Sequence, residues 1–231
     1  MTLEQALAAL ESLAEADRAA QMTAYHKVPR RYLGVPVPEI ETLAQSWRQD
    51  LTVEARVALA RALWATDIHE ARVAAAKLFL QARIRPDDAV WQAICDFLPD
   101  FDAWAIADHV SIAGQKRLQA DPARIDNVAA WTISPHMWSR RAALVMTLPW
   151  TKQNHPKPED LAVRDRVLGW CAAYATDHDW FIQKAVAWWL RDLSAHDPAR
   201  TRAFLQAHGA AMKPWARTEA ARKLPDFQDN A

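Results

Sequence analysis

Glycine is scarce in this sequence, with 4 glycines among 231 residues. Alanine, leucine, arginine and glutamine are abundant instead, and these residues favour helix. The sequence also lacks a glycine-rich loop of the kind that cradles phosphates. The composition therefore predicts an all-α protein and argues against a nucleotide cofactor.

Cysteine is equally scarce, since the chain has only Cys95 and Cys171, far apart and each among apolar residues. This pattern predicts reduced thiols in the core and fits a reducing cytoplasm. The eight histidines show no HExxH motif or other ligand spacing, so we expect no metal cofactor.

Neither sign of charge is in excess, because 28 lysines and arginines balance 28 aspartates and glutamates. No global field attracts nucleic acid or anionic lipid, so any site for a polyanion must be a local patch. Apolar runs of roughly 20 residues are absent, and the first residues do not resemble a signal peptide. We therefore expect a cytoplasmic protein that spans no membrane.

Apolar periodicity predicts a train of helices with short polar breaks. The predicted ranges are 2–15, 17–28, 38–47, 52–65, 68–83, 87–98, 102–119, 122–131, 136–148, 158–176, 179–194, 197–208 and 214–223. Short connections make consecutive helices antiparallel neighbours. The break at 29–38 holds three prolines and a glycine, which cannot continue a helix.

Three of these helices resemble one another. Each has a cation, Arg72, Arg141 or Lys184, followed by small or β-branched apolar residues. Spacing of roughly 40 residues on paired helices is typical of HEAT-type repeats, although alanine-rich helices also resemble each other by chance. We predict one domain, 1–231, that forms an α-solenoid of HEAT-like antiparallel helix pairs with a concave cationic groove. The 149–158 insertion would be a loop on one side.

The stretch 179–193 has two unlike helical faces. Its apolar sector consists of Ile182, Val186, Trp189, Leu190 and Leu193. Lys184, Trp188 and Arg191 fall on the opposite side. This pattern predicts that Trp189 is buried and that Trp188 points outward as a functional candidate. The alternative is that a second layer of helices covers Trp188.

A second outward tryptophan is predicted on the helix at 102–119. Asp102 is placed near its N-cap, and the apolar sector is Ile106, Val110 and Ala113. Trp104, Asp108 and Ser111 share the opposite face. Without its neighbours on this face, Asp108 would be interpreted as a surface acid or as the ion-pair partner of a nearby arginine.

Two basic stretches follow. Arg141 lies one turn after Trp138 in a helix that is apolar nearly all round, so it must pair with an internal carboxylate or reach a phosphate. The C-terminal stretch from Lys213 to Lys223, which includes Arg217 and Arg222, is either a patch that contacts a nucleic-acid backbone or a solvated helix.

Five tracts, in this order, resemble the AlkD-like DNA alkylation-repair glycosylases. They are Met22–His26, Tyr32–Glu39, Trp104–Asp108, Trp138–Ala143 and Phe181–Asp192. The resemblance covers roughly residues 20 to 225. It implies a HEAT-like solenoid whose concave cationic face holds duplex DNA, and excision of N3- or N7-alkylated purines without metal or cofactor.

The resemblance also implies roles for individual residues. The family's catalytic aspartate falls on Asp108, its two groove tryptophans on Trp104 and Trp188, its groove arginine on Arg141 and its groove tyrosine on Tyr25. Further DNA contacts are expected from Arg140, Lys184, Arg191, Lys213 and Arg217. The chain departs from the family pattern at Ala103 and Ala105, where a second aromatic is frequent, and at Ala187, where glycine is frequent.

The expected partner is double-stranded DNA with alkylated bases, bound by a monomer that associates with the nucleoid. Two other functions stay open. A solenoid of this kind can bind DNA structures without excising bases, and zero net charge is also compatible with a protein-interaction scaffold.

Overall fold

The computed structural model describes residues 1–225, and its regular structure is helical. The α-helices are α1 (Leu3–Glu11), α2 (Ala16–His26), α3 (Val37–Asp50), α4 (Val53–Ala65), α5 (His69–Leu78), α6 (Asp88–Phe97), α7 (Trp104–Ala120), α8 (Ile125–Trp131), α9 (Met137–Met146), α10 (Pro158–Ala173), α11 (Trp180–Ser194), α12 (Pro198–His208) and α13 (Pro214–Ala221). Short 3₁₀ helices occupy Leu98–Asp100, Pro122–Arg124, Leu148–Lys152 and Gly209–Ala211. The all-α prediction is confirmed. Among residues 1–225, no helix is both long and apolar enough to cross a membrane.

Several predicted boundaries differ from the structure; the helix predicted at 2–15, for example, ends at Glu11. The helix predicted at 68–83 ends at Leu78. There Arg48 donates to the carbonyl oxygens of Lys77 at 2.7 Å and Leu80 at 2.9 Å, which a longer helix would have used itself. The insertion at 149–158 is only partly a loop, since Leu148–Lys152 forms a 3₁₀ helix with Trp150 buried.

The chain divides into two compact units, Met1–Asp121 and Pro122 onward. In the first unit, α5 is central and packs against α3, α4 and α7. Every residue of α5 except Lys77 is buried, so this helix is enclosed on all sides. That the two units act as one repeat domain with a cationic groove stays a prediction.

In the second unit, α11 is central and packs against α9, α12 and α13. All five residues of its predicted apolar sector are fully buried, which confirms that face. The helix begins at a capped end, because the carboxylate of Asp179 accepts the backbone N–H groups of Phe181 at 2.8 Å and Ile182 at 3.3 Å.

The three cations of the predicted repeat have different surroundings. Arg72 in α5 is buried, and its Nε donates to the carbonyl oxygen of Trp64 at 3.2 Å. Arg141 in α9 is buried as well, whereas Lys184 in α11 is exposed. The shared sequence pattern therefore marks a shared helical position, not a shared chemical role.

The connection between α2 and α3 is held by one buried carboxylate. Glu70 accepts the backbone N–H of Leu33 at 2.9 Å and that of Gly34 at 2.8 Å. Gly34 has φ +82°, and a Cβ there would lie 2.2 Å from the carbonyl oxygen of Glu15. Only glycine fits this position, since it tolerates both the left-handed backbone and the close approach. The connection carries Tyr32 into the core.

We expect Gly34→Ala to lower the free energy of unfolding by roughly 2–4 kcal/mol, because a Cβ adds left-handed strain and a clash with backbone. Urea unfolding followed by circular dichroism measures the change. Gly169→Ala in α10 is the matched control. Nothing lies within 4 Å of a Cβ at Gly169, so alanine there should stabilise by about 0.5–1 kcal/mol. Equal effects at both glycines would contradict the assignment.

Candidate functional site

Two of the candidate residues meet in the first unit. Trp104 is the first residue of α7 and its side chain is 38% exposed, while Tyr25, near the end of α2, is 69% exposed. Their ring centroids lie 6.3 Å apart with the planes almost perpendicular, at 86°. This edge-to-face pair leaves a large apolar surface open to solvent, which is typical of a binding site.

The rings of His26, His69 and Tyr32 form a stack that contacts Trp104 through His26. His26 lies 5.8 Å from Trp104 and stacks on His69 at 4.8 Å between centroids. Tyr32 stacks on His69 at 5.0 Å. No sequence pattern had marked His26 or His69 as site residues. The one available signal was that His26 and Tyr32 lie within tracts that carry the family resemblance.

Burial keeps the histidines of this unit neutral. It lowers the pKa of His69 to about 3, with smaller contributions from the charges of His26, Arg30 and His109. Burial also lowers the pKa of His26, against the opposing effect of Glu70. The pKa of His109 falls to about 4, again mainly through burial and secondarily through Lys77. The ring stack is therefore uncharged near neutral pH.

These shifts predict that the protein loses stability in mild acid. An unfolded histidine binds a proton near pH 6.5, whereas folded His69 and His109 resist protonation until about pH 3 to 4. Their contribution is complete above pH 6.5 and is lost as the pH falls towards 4. The expected slope is at most about 1.4 kcal/mol per pH unit for each histidine.

Urea unfolding at several pH values between 7 and 5 measures this dependence. His69→Phe keeps a ring in the stack but removes the titrating group, so its pH dependence should be shallower. His178→Asn, at an exposed position, is the control and should keep the wild-type slope. A flat profile for the wild-type protein would contradict the prediction.

Asp108 lies one turn after Trp104 on α7 and is half-buried. One neighbouring prediction is wrong. Ser111 does not share an outward face with Asp108, because α7 packs against both α5 and α6 and Ser111 is fully buried. Asp102 lies directly before the N-cap residue, Ala103, near which it was predicted, and its carboxylate forms an ion pair with Arg30.

Trp188, in the second unit, is partly covered. It is half-buried against the hydrophobic core, so the alternative that other elements cover it is partly right. Its indole Nε1 donates to Asp192 Oδ2 at 3.1 Å. Trp189 is fully buried, as predicted. Asp192 was not predicted as a partner of Trp188, although an acid four residues after a tryptophan lies on the same helical face.

Asp192 is a buried carboxylate surrounded by cations. Its Oδ1 lies 3.4 Å from Arg191 Nε and 3.8 Å from Lys223 Nζ, and its Oδ2 lies 3.7 Å from Lys152 Nζ. The carboxylate, held between these cations, accepts the indole N–H of Trp188 and so fixes that ring. Asp192 thus determines the orientation of Trp188.

Arg141 and Arg140 both bind protein groups. Arg141 is 2% exposed, and its Nη1 donates to the carbonyl oxygen of Phe181 at 3.0 Å, which ties α9 to α11. Arg140 forms a 3.1 Å ion pair with Asp177 and donates to the carbonyl oxygen of Ser134 at 3.0 Å. That either arginine also contacts DNA stays a prediction.

The four other candidate cations lie on α11 or at α13. Lys184 is exposed, and its Nζ lies 4.6 Å from the ring centroid of Trp180. Arg191 forms an ion pair with Glu219. Lys213 is the N-cap of α13, and the side chain of Arg217 packs beside Gly209. Among these four, Lys184 is the most accessible to a phosphate.

Metal-ligating residues do not cluster in the part of the chain that the structure describes, since residues 1–225 hold no group of three or more His, Cys, Asp or Glu suited to an ion. Both cysteines are free thiols. Cys171 is buried, as predicted, and burial raises the pKa of its thiol. Cys95 is only half-buried, so its placement in the core was wrong.

Comparisons with known proteins agree with this architecture. No curated protein matches the chain. A predicted DNA alkylation repair enzyme from Enterococcus faecalis has a similar structure, with a TM-score of 0.79, 22% identity, and coverage of 93% of this chain and 98% of that one. AlkD2 from Streptococcus mutans aligns with a TM-score of 0.67, 18% identity, and coverage of 99% and 100%. At 22% and 18% identity, these similarities show a shared fold.

The assignment to a family comes from the sequence. A family model described as DNA alkylation repair enzyme matches residues 6–224, which is nearly the whole chain. The fold and the order of the five tracts are consistent with that match. The chain therefore belongs to the family of DNA alkylation repair enzymes.

Proposed function

We propose that this protein is a monofunctional DNA glycosylase that removes N3- or N7-alkylated purines from duplex DNA by hydrolysing the N-glycosidic bond. The observation that carries the proposal is the exposed ring of Trp104 at the start of α7, with the carboxylate of Asp108 one turn later. Membership of the DNA alkylation repair family supplies the substrate class.

The chemistry needs few groups from the protein. Alkylation at N3 or N7 makes the purine cationic, so it departs with the electron pair of the C1′–N bond and becomes neutral. The sugar turns oxocarbenium-like as the bond breaks, and a fixed carboxylate stabilises that charge. Water then forms the new C1′–O bond and releases its proton to the solvent. Asp108 has both tasks, stabilising the cation and orienting the water.

Trp104 contributes through its exposed ring. The face of an aromatic ring attracts a cation by about 0.5–2 kcal/mol, which suits a sugar that becomes positive in the transition state. Tyr25 packs against Trp104, and His26 supports it within the ring stack, so the indole needs little reorganisation. Neutral histidines in that stack add no charge that would repel the sugar.

Trp188 would act as the second aromatic group. Its hydrogen bond to Asp192 holds the indole in one orientation, so the ring can pack against the DNA backbone without a large loss of side-chain entropy. We propose that Lys184 contacts a phosphate and that Arg141, which is 2% exposed and ties α9 to α11 through Phe181, sets the register by positioning α11, with Arg140, Arg191, Lys213 and Arg217 adding to a local positive patch. Each phosphate neutralised makes binding more sensitive to salt. The expected location is the cytoplasm, on the nucleoid.

Methylated duplex DNA tests the proposal. Incubation with the protein should release 3-methyladenine and 7-methylguanine faster than spontaneous loss, measured by chromatography of the free bases. No release, together with tight binding to branched duplex, would favour a DNA-structure-binding protein instead. Weak binding without steep salt dependence would favour a protein-interaction scaffold.

A further inference from the structure

A second exposed aromatic pair lies outside the proposed catalytic residues. Trp180, at the start of α11, is 47% exposed, and Trp215, in the first turn of α13, is 38% exposed. Their ring centroids are 5.8 Å apart with a tilt of 34°, so the two rings form one continuous apolar surface. Exposed tryptophans in contact mark a place where another molecule binds.

The surroundings of this pair favour a nucleic acid. Lys184, one turn after Trp180, is exposed and its Nζ lies 4.6 Å from the Trp180 ring centroid. Lys213 is the N-cap of α13, immediately before the turn that carries Trp215. The nearby carboxylate of Asp179 caps the first turn of α11, and the backbone N–H groups of that turn stabilise its negative charge.

The Trp180 ring is also braced from within the protein. Phe181 contacts it edge to face, with the centroids 4.9 Å apart at 85°, and Phe181 is itself packed on Trp138 at 4.7 Å. A braced, half-exposed ring next to a lysine is the arrangement with which proteins bind unpaired bases. The ring stacks on the base while the cation binds the adjoining phosphate.

We propose that Trp180 and Trp215, with Lys184, form a stacking platform for unpaired bases in DNA, separate from Trp104 and Asp108. The inference rests on the proposed DNA-binding function and adds a second contact of different chemistry. The platform takes a base displaced from the duplex, because stacking is available only to a base that has lost its neighbours. It therefore gives the protein a preference for distorted DNA that is independent of base excision.

Fluorescence anisotropy with labelled oligonucleotides tests the platform. The probes are a single strand, a duplex with a short unpaired bulge and the same duplex fully paired. The wild-type protein should prefer the bulged duplex to the paired one. Trp180→Ala and Trp215→Ala should each weaken binding to the single strand and the bulge by roughly tenfold, with the salt dependence unchanged. Lys184→Ala should reduce the salt slope for the single strand by about 0.7.

Trp170→Ala in α10 is the matched control, because Arg166 lies over the Trp170 ring at 5.8 Å in the same kind of cation–π pair. It should bind all three probes like the wild type, and circular dichroism verifies that every variant is folded. Equal losses on paired and bulged duplex would overturn the platform, as would unchanged binding to all three probes.

Base release from methylated duplex by the same variants separates the two proposals. A bulge preference that depends on Trp180, in a protein that releases no base, would sustain the platform and refute excision. Base release by the wild type without any bulge preference would refute the platform alone. A wild-type protein that binds none of the probes and releases no base would refute both.

Discussion

Asp108→Asn should lower the rate of base release by roughly 10²–10³-fold while leaving the affinity for DNA unchanged or slightly higher. Asparagine has nearly the same shape as aspartate, so what is lost is the negative charge facing the developing oxocarbenium ion. Fixed electrostatic groups of this kind contribute about 2.7–4 kcal/mol to a transition state. Affinity should not fall, because removing an anion from a DNA-binding surface removes repulsion from phosphates.

Single-turnover release of 7-methylguanine measures the rate, and anisotropy with undamaged duplex measures binding. Asp108→Glu is informative because it keeps the charge but displaces it by one methylene, so it should retain more activity than Asp108→Asn. Asp50→Asn, at the exposed end of α3, is the control and should match the wild type. Full activity in Asp108→Asn would remove the carboxylate from the mechanism.

Local patterns in the sequence predicted those features that depend on neighbours along the chain. The buried sector of α11 follows directly from the spacing of Ile182, Val186 and Trp189, because residues three and four apart share a helical face. Trp104 was likewise recognised as exposed, since it lies opposite the buried sector of α7. The extents of most helices were predictable for the same reason.

Features that depend on contacts between distant elements were not predictable. The partner of Asp102 is Arg30, 72 residues away, and a pattern within one helix carries no information about such a pair. Ser111 is buried because α6 as well as α5 packs on α7, and a short polar side chain fits such an enclosed face. Trp188 is half-covered for a similar reason, since the core of the second unit extends around it.

The proposed site depends on Glu70, a carboxylate that is fully buried inside the first unit. Glu70 joins α5 to the connection between α2 and α3 through the N–H groups of Leu33 and Gly34. That connection carries Tyr32, which stacks on His69, and His69 in turn stacks on His26. The orientation of Trp104 therefore depends on a chain of contacts that begins at Glu70.

Glu70→Ala should lower the free energy of unfolding by roughly 2–5 kcal/mol, because it leaves two buried backbone donors without an acceptor and each orphaned group costs about 1–3 kcal/mol. Glu70→Gln keeps one carbonyl oxygen for one of the two donors, so its loss should be smaller. Urea unfolding followed by circular dichroism measures both variants. Glu39→Ala, at an exposed position in the first turn of α3, is the control and should change stability by about 0.5 kcal/mol or less.

Folded Glu70→Gln also tests the link from the core to the site. If the connection positions the ring stack, base release should fall more than DNA affinity, because the stack orients Trp104 for the transition state and phosphate contacts elsewhere on the protein are untouched. Equal losses in rate and affinity would mean that Glu70 acts through stability alone. Wild-type stability in Glu70→Ala would show that the two backbone donors find other acceptors. Glu70 would then not hold the connection, and the proposed chain of contacts from Glu70 to Trp104 would be wrong at its first contact.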